Sequence, residues 1–242
     1  QGDFGYSVRT GQPVLQEILD RFPLTLELAL LAMLMALVIG IPAGILSATQ
    51  RGKPVDLATR VFALIGLALP NFWLGTLIIY VLSVYFHILP NAGSYVGFFE
   101  NPTKNLTQMF FPAFTLGFAF SASIMRTTRS AVLEVLGQDF MRTARAKGLS
   151  NAVVLRRHGL RNALIPIITL IGFEAGYLLG GAIIVEEVFA LPGVGRMLLN
   201  AIQQRDYALV QGTVVFIAFN FVLINLLADV LYTFANPRIR YE

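Results

Sequence analysis

Five stretches of this chain are long and apolar enough to cross a lipid bilayer: residues 24–47, 57–87, 108–125, 163–185 and 209–234. Each approaches or exceeds the roughly 20 residues that a helix rising 1.5 Å per residue needs to traverse about 30 Å of hydrocarbon. Lipid supplies no partners for a bare backbone, so runs of this length are expected to close their hydrogen bonds within themselves, as helices. The chain is 56% hydrophobic and only 13% charged, against about 25% charged for a soluble domain. The expected fold is therefore all-α: a polytopic membrane helical bundle. There is no cysteine, so disulfides do not enter the argument.

The cations are sorted by side. If the loop at 51–60 is cytoplasmic, so are the segment 126–161 and the tail after the last span. That side holds 13 of the 18 Lys and Arg residues, and the other holds five: Arg9, Arg21, Lys104, Arg196 and Arg205. Positive charge collects on the cytoplasmic side of membrane proteins, which puts the start of the chain outside and its end inside. The first residue is Gln1, and residues 1–23 form a polar extracytoplasmic lead-in. A translocated start needs something upstream to carry it across, so a sixth span is expected in the intact protein. Residues 24–242 form a single membrane domain.

Within the first span, Gly40-Ile41-Pro42-Ala43-Gly44 combines a small-xxx-small spacing with a proline. Such sites let helix backbones approach closely. The second span carries Pro70-Asn71-Phe72-Trp73-Leu74-Gly75 near its middle. Proline removes a backbone hydrogen bond there, and Asn71 is polar at depth. A kinked wall of a path, lined by Asn71 and Trp73, is one reading; an Asn71 that only ties neighbouring helices together is the other. In the fourth span, Gly172, Gly176 and Gly180 recur every four residues and share one face, a seam for another helix. Glu174 points away from that seam, about 12 Å of helix rise from Pro166. A carboxyl at that depth belongs beside a watery path or a polar partner. The outer loop Phe189-Ala190-Leu191-Pro192-Gly193-Val194-Gly195-Arg196 makes a tight re-entry, and Asn105-Leu106-Thr107 is formally a glycosylation sequon.

Between the third and fourth spans lies a basic, glycine-broken insert at about residues 131–162. Residues 138–147 read as a short helix with Asp139 near its start and Lys147 in its last turn, a placement that complements the helix dipole. Gly148 suits a left-handed C-terminal cap, and Ser150 the N-cap of a second helix over about 151–158. Phe140, Thr143, Ala144 and Lys147 are expected on one face, with Arg142 and Arg145 on another. Physics alone leaves two readings open: a docking elbow for another protein, or a basic loop lying on anionic headgroups.

The insert resembles the cytoplasmic coupling loop of ABC importer permeases. Its Glu-Ala-Ala positions fall on Arg142, Thr143 and Ala144, its glycine on Gly148, and its later Ile-x-Leu-Pro on His158-Gly159-Leu160-Arg161. Only Ala144, Gly148 and Leu160 match the general pattern. The variant Arg-Thr-Ala-Arg-Ala-Lys-Gly-Leu over 142–149, with Leu-Arg-Asn-Ala-Leu-Ile-Pro over 160–166, is similar to the peptide/nickel subfamily. So are Met125-Arg126-x-Thr128-Arg129-Ser130, Arg205-Asp206-Tyr207 and Asn236-Pro237-Arg238-Ile239-Arg240. The resemblance implies a type I importer permease fold and a bacterial or archaeal plasma membrane. It implies a second, homologous permease subunit, two cytoplasmic ATPases that bind ATP and Mg, and an extracytoplasmic substrate-binding protein that delivers di- or oligopeptides, nickel complexes or glutathione. Coupling to the ATPases would fall on Arg142, Thr143, Ala144, Arg145, Ala146, Lys147, Gly148 and Leu149.

Gly193-Val194-Gly195 is followed by Arg196-Met197-Leu198, which is not a nucleotide-binding loop. The two histidines fall on opposite sides, and no paired acids or Ser/His dyad appear. No cofactor, metal or nucleic acid is expected on this chain, only membrane lipid around it. The competing reading is a channel or secondary transporter, for which an elaborate basic insert would have no use.

Overall fold

The computed structural model describes residues 4–90, 95–150 and 153–235. The apolar runs become helices that overshoot the hydrocarbon at their ends. Helix α1 (Val14–Thr49) has 36 residues, about 54 Å of rise. It therefore takes up half of the expected lead-in: the chain is already helical at Val14, and an isolated bridge between Tyr6 and Pro13 closes the turn before it. The second run is not one kinked helix. It is broken into α2 (Pro54–Ala68) and α3 (Asn71–Phe86). The residue before a proline is pushed out of the helical region, and Pro70 itself is extended, with φ −64° and ψ 137°. Helix α4 (Pro102–Leu136) starts on a proline, where the missing N–H costs nothing, and Asn101 Oδ1 accepts from Lys104 N at 3.1 Å.

Short α5 (Asp139–Ala146) follows, then a π-helical turn (Val154–Gly159) that runs directly into α6 (Leu160–Val188). The chain ends with α7 (Val194–Gln204) and α8 (Tyr207–Ala235). Four of these helices (α1, α4, α6 and α8) are long and apolar enough to cross a membrane, and the broken α2–α3 pair makes a fifth span if taken as one. The motif 236–240 lies outside the described residues.

The contacts divide the chain into two compact units, Gln1–Leu34 with Leu69–Gly117 and Ala175–Ile224, and Met35–Ala68 with Phe118–Glu174 and Asn225–Glu242. In the first unit, α1 and α4 meet so closely at Gly117 that a Cβ there would sit 2.5 Å from the Ala32 carbonyl oxygen. Val14, Ile18, Met197, Ala201 and Leu209 form its core, and Phe22 meets the edge of Phe216 with ring centroids 5.0 Å apart. Two buried acids fix helix ends in this unit. Glu186 lies wholly buried; its carboxylate accepts from Thr25 Oγ1 at 2.6 Å and from the N–H groups of Gly195 and Arg196 at 2.8 and 3.1 Å. This is an N-terminal cap on α7 supplied from another helix. A Cβ at Gly193 would lie 2.2 Å from the Glu186 carboxyl carbon, so only glycine fits there. Asp206 caps α8 through Leu209 N at 3.2 Å and holds the lead-in through Ser7 Oγ at 2.5 Å and Arg9 N at 3.3 Å. Burial works against its ionised form, but the bonds from Ser7, Leu209 and Arg9 outweigh it and hold the carboxyl below its ordinary range.

In the second unit, small residues set the spacing. A Cβ on Gly40 would stand 2.7 Å from the Ser121 carbonyl oxygen, one on Gly44 2.6 Å from Thr128 Cβ, and one on Gly66 2.7 Å from Ala122 Cβ. The 40–44 motif is therefore a packing motif between α1 and α4. The buried clusters here are largely alanine: Ala48, Ala131 and Ala163 with Val132, and Ala63 and Ala122 with Met125. In lipid, close van der Waals approach replaces the hydrophobic drive between helices.

The glycine seam behaves differently. Gly172 does pack tightly, its Cβ position 2.7 Å from Ala228 Cβ, but Gly180 has nothing within 4 Å.

Gly44→Ala should destabilise the purified protein by about 1–3 kcal/mol through overpacking, whereas Gly180→Ala should be neutral or slightly stabilising because helix propensity alone acts there; thermal unfolding in one detergent compares the two. Ser7→Ala should cost about 1–2 kcal/mol by leaving the buried Asp206 carboxylate short of a donor. Because the folded pKa of Asp206 is depressed, its contribution is fully present above about pH 4 and falls away as the solution is acidified through the folded value. The Ser7→Ala penalty, read from unfolding at pH 7 and pH 3, should shrink at the lower pH.

Candidate functional site

The insert is a self-packed elbow. Gln138 is extended and α5 starts at Asp139, one residue inside the expected range. The helix ends where expected. Lys147 N donates to Thr143 O at 3.1 Å, Gly148 N to Arg145 O at 2.9 Å, and Gly148 takes the left-handed φ of +82° that favours glycine. Beyond it, Val154 N returns to Ser150 O at 3.0 Å. The second helix of the elbow is a wide turn rather than an independent helix: Leu160 N reaches back five residues to Leu155 O, and the turn continues as α6. π-turns of this kind insert one extra residue per turn and are a recurring feature of functional sites. Residues 151–152 lie outside the described residues.

The faces of α5 differ from the expectation at one important position. Ala144 is 8% exposed and Met141 fully buried, both packed with Val154 against Val135 and Leu136 at the end of α4. Ala144 therefore belongs to the elbow's own core and not to the outward face with Phe140, Thr143 and Lys147. The reason is geometric: positions 141 and 144 lie on the side of an eight-residue helix that folds back on α4, so the smaller residue admits the close contact. Phe140, Arg142, Thr143, Arg145, Ala146, Lys147, Gly148 and Leu149 are all exposed. Arg142 reaches Asp139 at 3.6 Å, but both side chains are largely in solvent and the pair holds little. The outer face is thus an apolar Phe140 and Leu149 among unneutralised cations.

A second charged feature ties together the helices from which the insert springs. Arg129 of α4 grips Asp56 of α2 as a fork, Nε to Oδ1 at 2.9 Å and Nη2 to Oδ2 at 3.2 Å. Ser47 of α1 donates to Asp56 Oδ1 at 2.7 Å, and Gly52 N in the loop donates to Oδ2 at 3.0 Å. Asp56 is 2% exposed and every lone pair that faces the protein is used. Arg129 sits in the quoted Met125–Ser130 segment, but nothing in the sequence pointed to Asp56. It is an acid in a basic loop, 73 residues from the arginine that it binds.

The candidate path residues each sit in their own surroundings. Asn71 is the first residue of α3, half-buried at the break, and Trp73 is 48% exposed. Glu174 has a partner, accepting from Ser123 Oγ of α4 at 2.8 Å. Asn105 of the sequon is wholly buried, and its amide donates to Val96 O at 3.0 Å, so it offers no acceptor site for a glycan.

Residues 40–241 match the family described as "Binding-protein-dependent transport system inner membrane component". The chain is 42% identical over 263 residues to the dipeptide transport system permease protein DppB of Escherichia coli (strain K12), covering all of this chain and 78% of that protein. It is 43% identical over 242 residues to the glutathione transport system permease protein GsiC of Escherichia coli O1:K1 / APEC, again over the whole chain and 76% of that protein. Among solved structures, an inward-facing form of the MetNI methionine ABC transporter superposes with a TM-score of 0.73 at 17% identity, covering 93% of this chain and 99% of that one. An amino acid ABC transporter gives 0.62 at 18% identity over 93% and 95%. The fold is that of type I importer permeases, and the chain belongs to the binding-protein-dependent transport system inner membrane components, in the peptide/nickel branch of the ABC importer permeases.

Proposed function

We propose that this chain forms one half of the translocation path of an ATP-driven importer for di- or oligopeptides. A second, homologous permease completes the path, two cytoplasmic ATPases supply the energy, and an extracytoplasmic binding protein delivers the cargo. The observation that carries this reading is the elbow. It folds on its own core of Met141, Ala144 and Val154, leaving an outer face with Phe140, Arg145, Lys147 and Leu149 exposed. A loop that only joined two spans would need neither a core nor an exposed aromatic. Peptide cargo is supported by the name of the DppB relative, and glutathione, itself a small peptide, by that of GsiC. Nickel complexes are the alternative cargo that the sequence resemblance implies.

The chemistry of transport on this chain is mechanical. Closing of the ATPases on ATP and Mg displaces the docked α5. Because α5 is packed on the end of α4 and on the π-turn that opens α6, its movement passes to both spans as a rigid-body shift. The Asp56–Arg129 fork binds α1 and α2 to the same part of α4, so these helices follow. ATP hydrolysis belongs to the partners, and the chain is a transport subunit rather than an enzyme. The basic end, with the elbow, lies in the cytoplasm, and α7 with the Ser7–Asp206 contact lies outside.

Two outcomes test this. Arg145→Glu leaves the elbow's core intact and should lower peptide uptake and peptide-stimulated ATP hydrolysis by roughly fivefold or more, with membrane levels unchanged, as expected for a reversed charge in a protein contact. Undiminished uptake in that variant would remove α5 from the coupling contact. The absence of cysteine makes single-cysteine topology mapping direct. In intact spheroplasts a membrane-impermeant maleimide should label Gln203→Cys and leave Ser150→Cys unmodified until the cells are opened; the reverse pattern would invert the orientation.

A further inference from the structure

The buried residues of helix α2 are Asp56, Ala63 and Gly66, on the stripe that meets α4. Beside that stripe lies a cavity of about 260 Å3 with walls of Leu57, Val61, Leu64 and Leu67 from α2 and Met125 from α4. The four aliphatic side chains are 56, 45, 66 and 41% exposed. Three arginines also line it: Arg60, Arg126 and Arg129.

Their charges are not balanced. Asp56 is the carboxylate within reach, and the Arg129 fork takes both of its oxygens. Arg60 approaches Asp56 only to 3.6 Å with its side chain 52% exposed. Arg126 is exposed and makes no ion pair among the described residues. Two guanidinium groups are therefore left facing one greasy cavity, with the hydroxyls of Ser47, Thr59 and Ser130 around them. Arg60 shares its helix face with Leu57, Leu64 and Leu67, three and four residues and seven residues away, so charge and apolar strip are continuous.

We propose that this cavity is a binding site for an anionic phospholipid. The phosphate sits between Arg60 and Arg126, and an acyl chain lies along Leu57, Val61, Leu64 and Leu67. A single amphiphile answers both features: an anionic head for Arg126 and the loosely paired Arg60, and a hydrocarbon tail for an uncovered apolar strip. A protein segment would need acidic side chains set against a run of aliphatics to do the same. Basic pockets between membrane helices on the cytoplasmic side bind anionic headgroups in this manner, and the cavity opens beside the 51–60 loop that the charge distribution assigns to that side. A lipid held here would brace α2 against α4 next to the Asp56–Arg129 fork. The inference requires only a membrane permease and is independent of the cargo.

The test is native mass spectrometry of the intact transporter complex with phosphatidylglycerol or phosphatidylcholine of the same acyl chains. The first lipid retained should be phosphatidylglycerol by about tenfold, the preference expected from two surface arginines, and inorganic phosphate should not displace it. The double variant Arg60→Gln/Arg126→Gln should lose the preference while the Asp56–Arg129 fork is preserved. Should that variant not assemble, Leu64→Trp fills the cavity with both arginines intact and should release the same lipid. Equal retention of the two lipids, or unchanged phosphatidylglycerol on the arginine-free or filled cavity, overturns the site. So does displacement by inorganic phosphate alone, or a disulfide from Leu64→Cys to a neighbouring permease, which would make this face a subunit contact.

Discussion

The close approach of α1 and α4 is the contact on which the rest of the structure depends. Between lipid-embedded helices there is little hydrophobic gain to be had from burying leucine against leucine, so adhesion must come from atoms brought into van der Waals range. This chain achieves that in each unit by removing side chains: Gly117 against Ala32 in one, Gly40 and Gly44 against Ser121 and Thr128 in the other. Once those backbones touch, α4 presents Ala122 to Gly66 of α2 and Ala131 with Val132 to Ala48 and Ala163. Bulky residues are left to the outside of the packed helices. That distribution explains why so many large hydrophobic side chains, from Leu30 and Leu34 to Phe219 and Val222, are exposed on the chain by itself.

Against this apolar background three buried acids stand at helix ends, each held by several donors. Glu186 caps α7, Asp206 caps α8, and Asp56 joins the end of α1 to the start of α2 and to α4. A buried carboxylate without donors would be costly, whereas one with three donors becomes a rigid pin. All three residues work through backbone N–H or hydroxyl donors close to a turn, which is where proline and glycine have already set the chain direction. Pins of this kind hold the helix termini while leaving the apolar middles free to slide as bodies, the behaviour that a transporter needs.

The spans were legible because hydropathy alone reports them; their ends were not. Helix α1 continues ten residues before the apolar run begins, because the inner face of residues 14–23 packs on α7 and α8, and hydropathy cannot see that packing. Pro70 was legible as a disturbance but not as a full break, since propagation through a proline depends on whether neighbours re-satisfy the freed carbonyl. The glycine spacing at 172, 176 and 180 promised a seam, yet only long-range geometry decides which glycine meets a neighbour. The Gly148 cap was readable since it is local: one positive φ, one short helix behind it. Ala144 was not, because which face of α5 folds inward is set by Val135, Leu136 and Val154, not by α5 itself.

That last point bears on how the elbow can work. A coupling helix must be firm enough to transmit force and still present something to grip. With Met141 and Ala144 committed inward, firmness comes from the insert's own core; in the proposed coupling role, grip would fall to the exposed Phe140, Arg145 and Lys147. The resemblance to the general coupling-loop pattern is confined to Ala144, Gly148 and Leu160. Of these, Ala144 is in the elbow's core and Gly148 is its backbone cap, while Leu160 is the half-buried residue on which the π-turn passes into α6. The matching positions are thus the ones that shape the elbow, and the departures at Arg142 and Thr143 lie on its solvent face. A loop can exchange the residues that a partner reads and keep the same lever only if reading and folding are assigned to different faces, and on α5 they are.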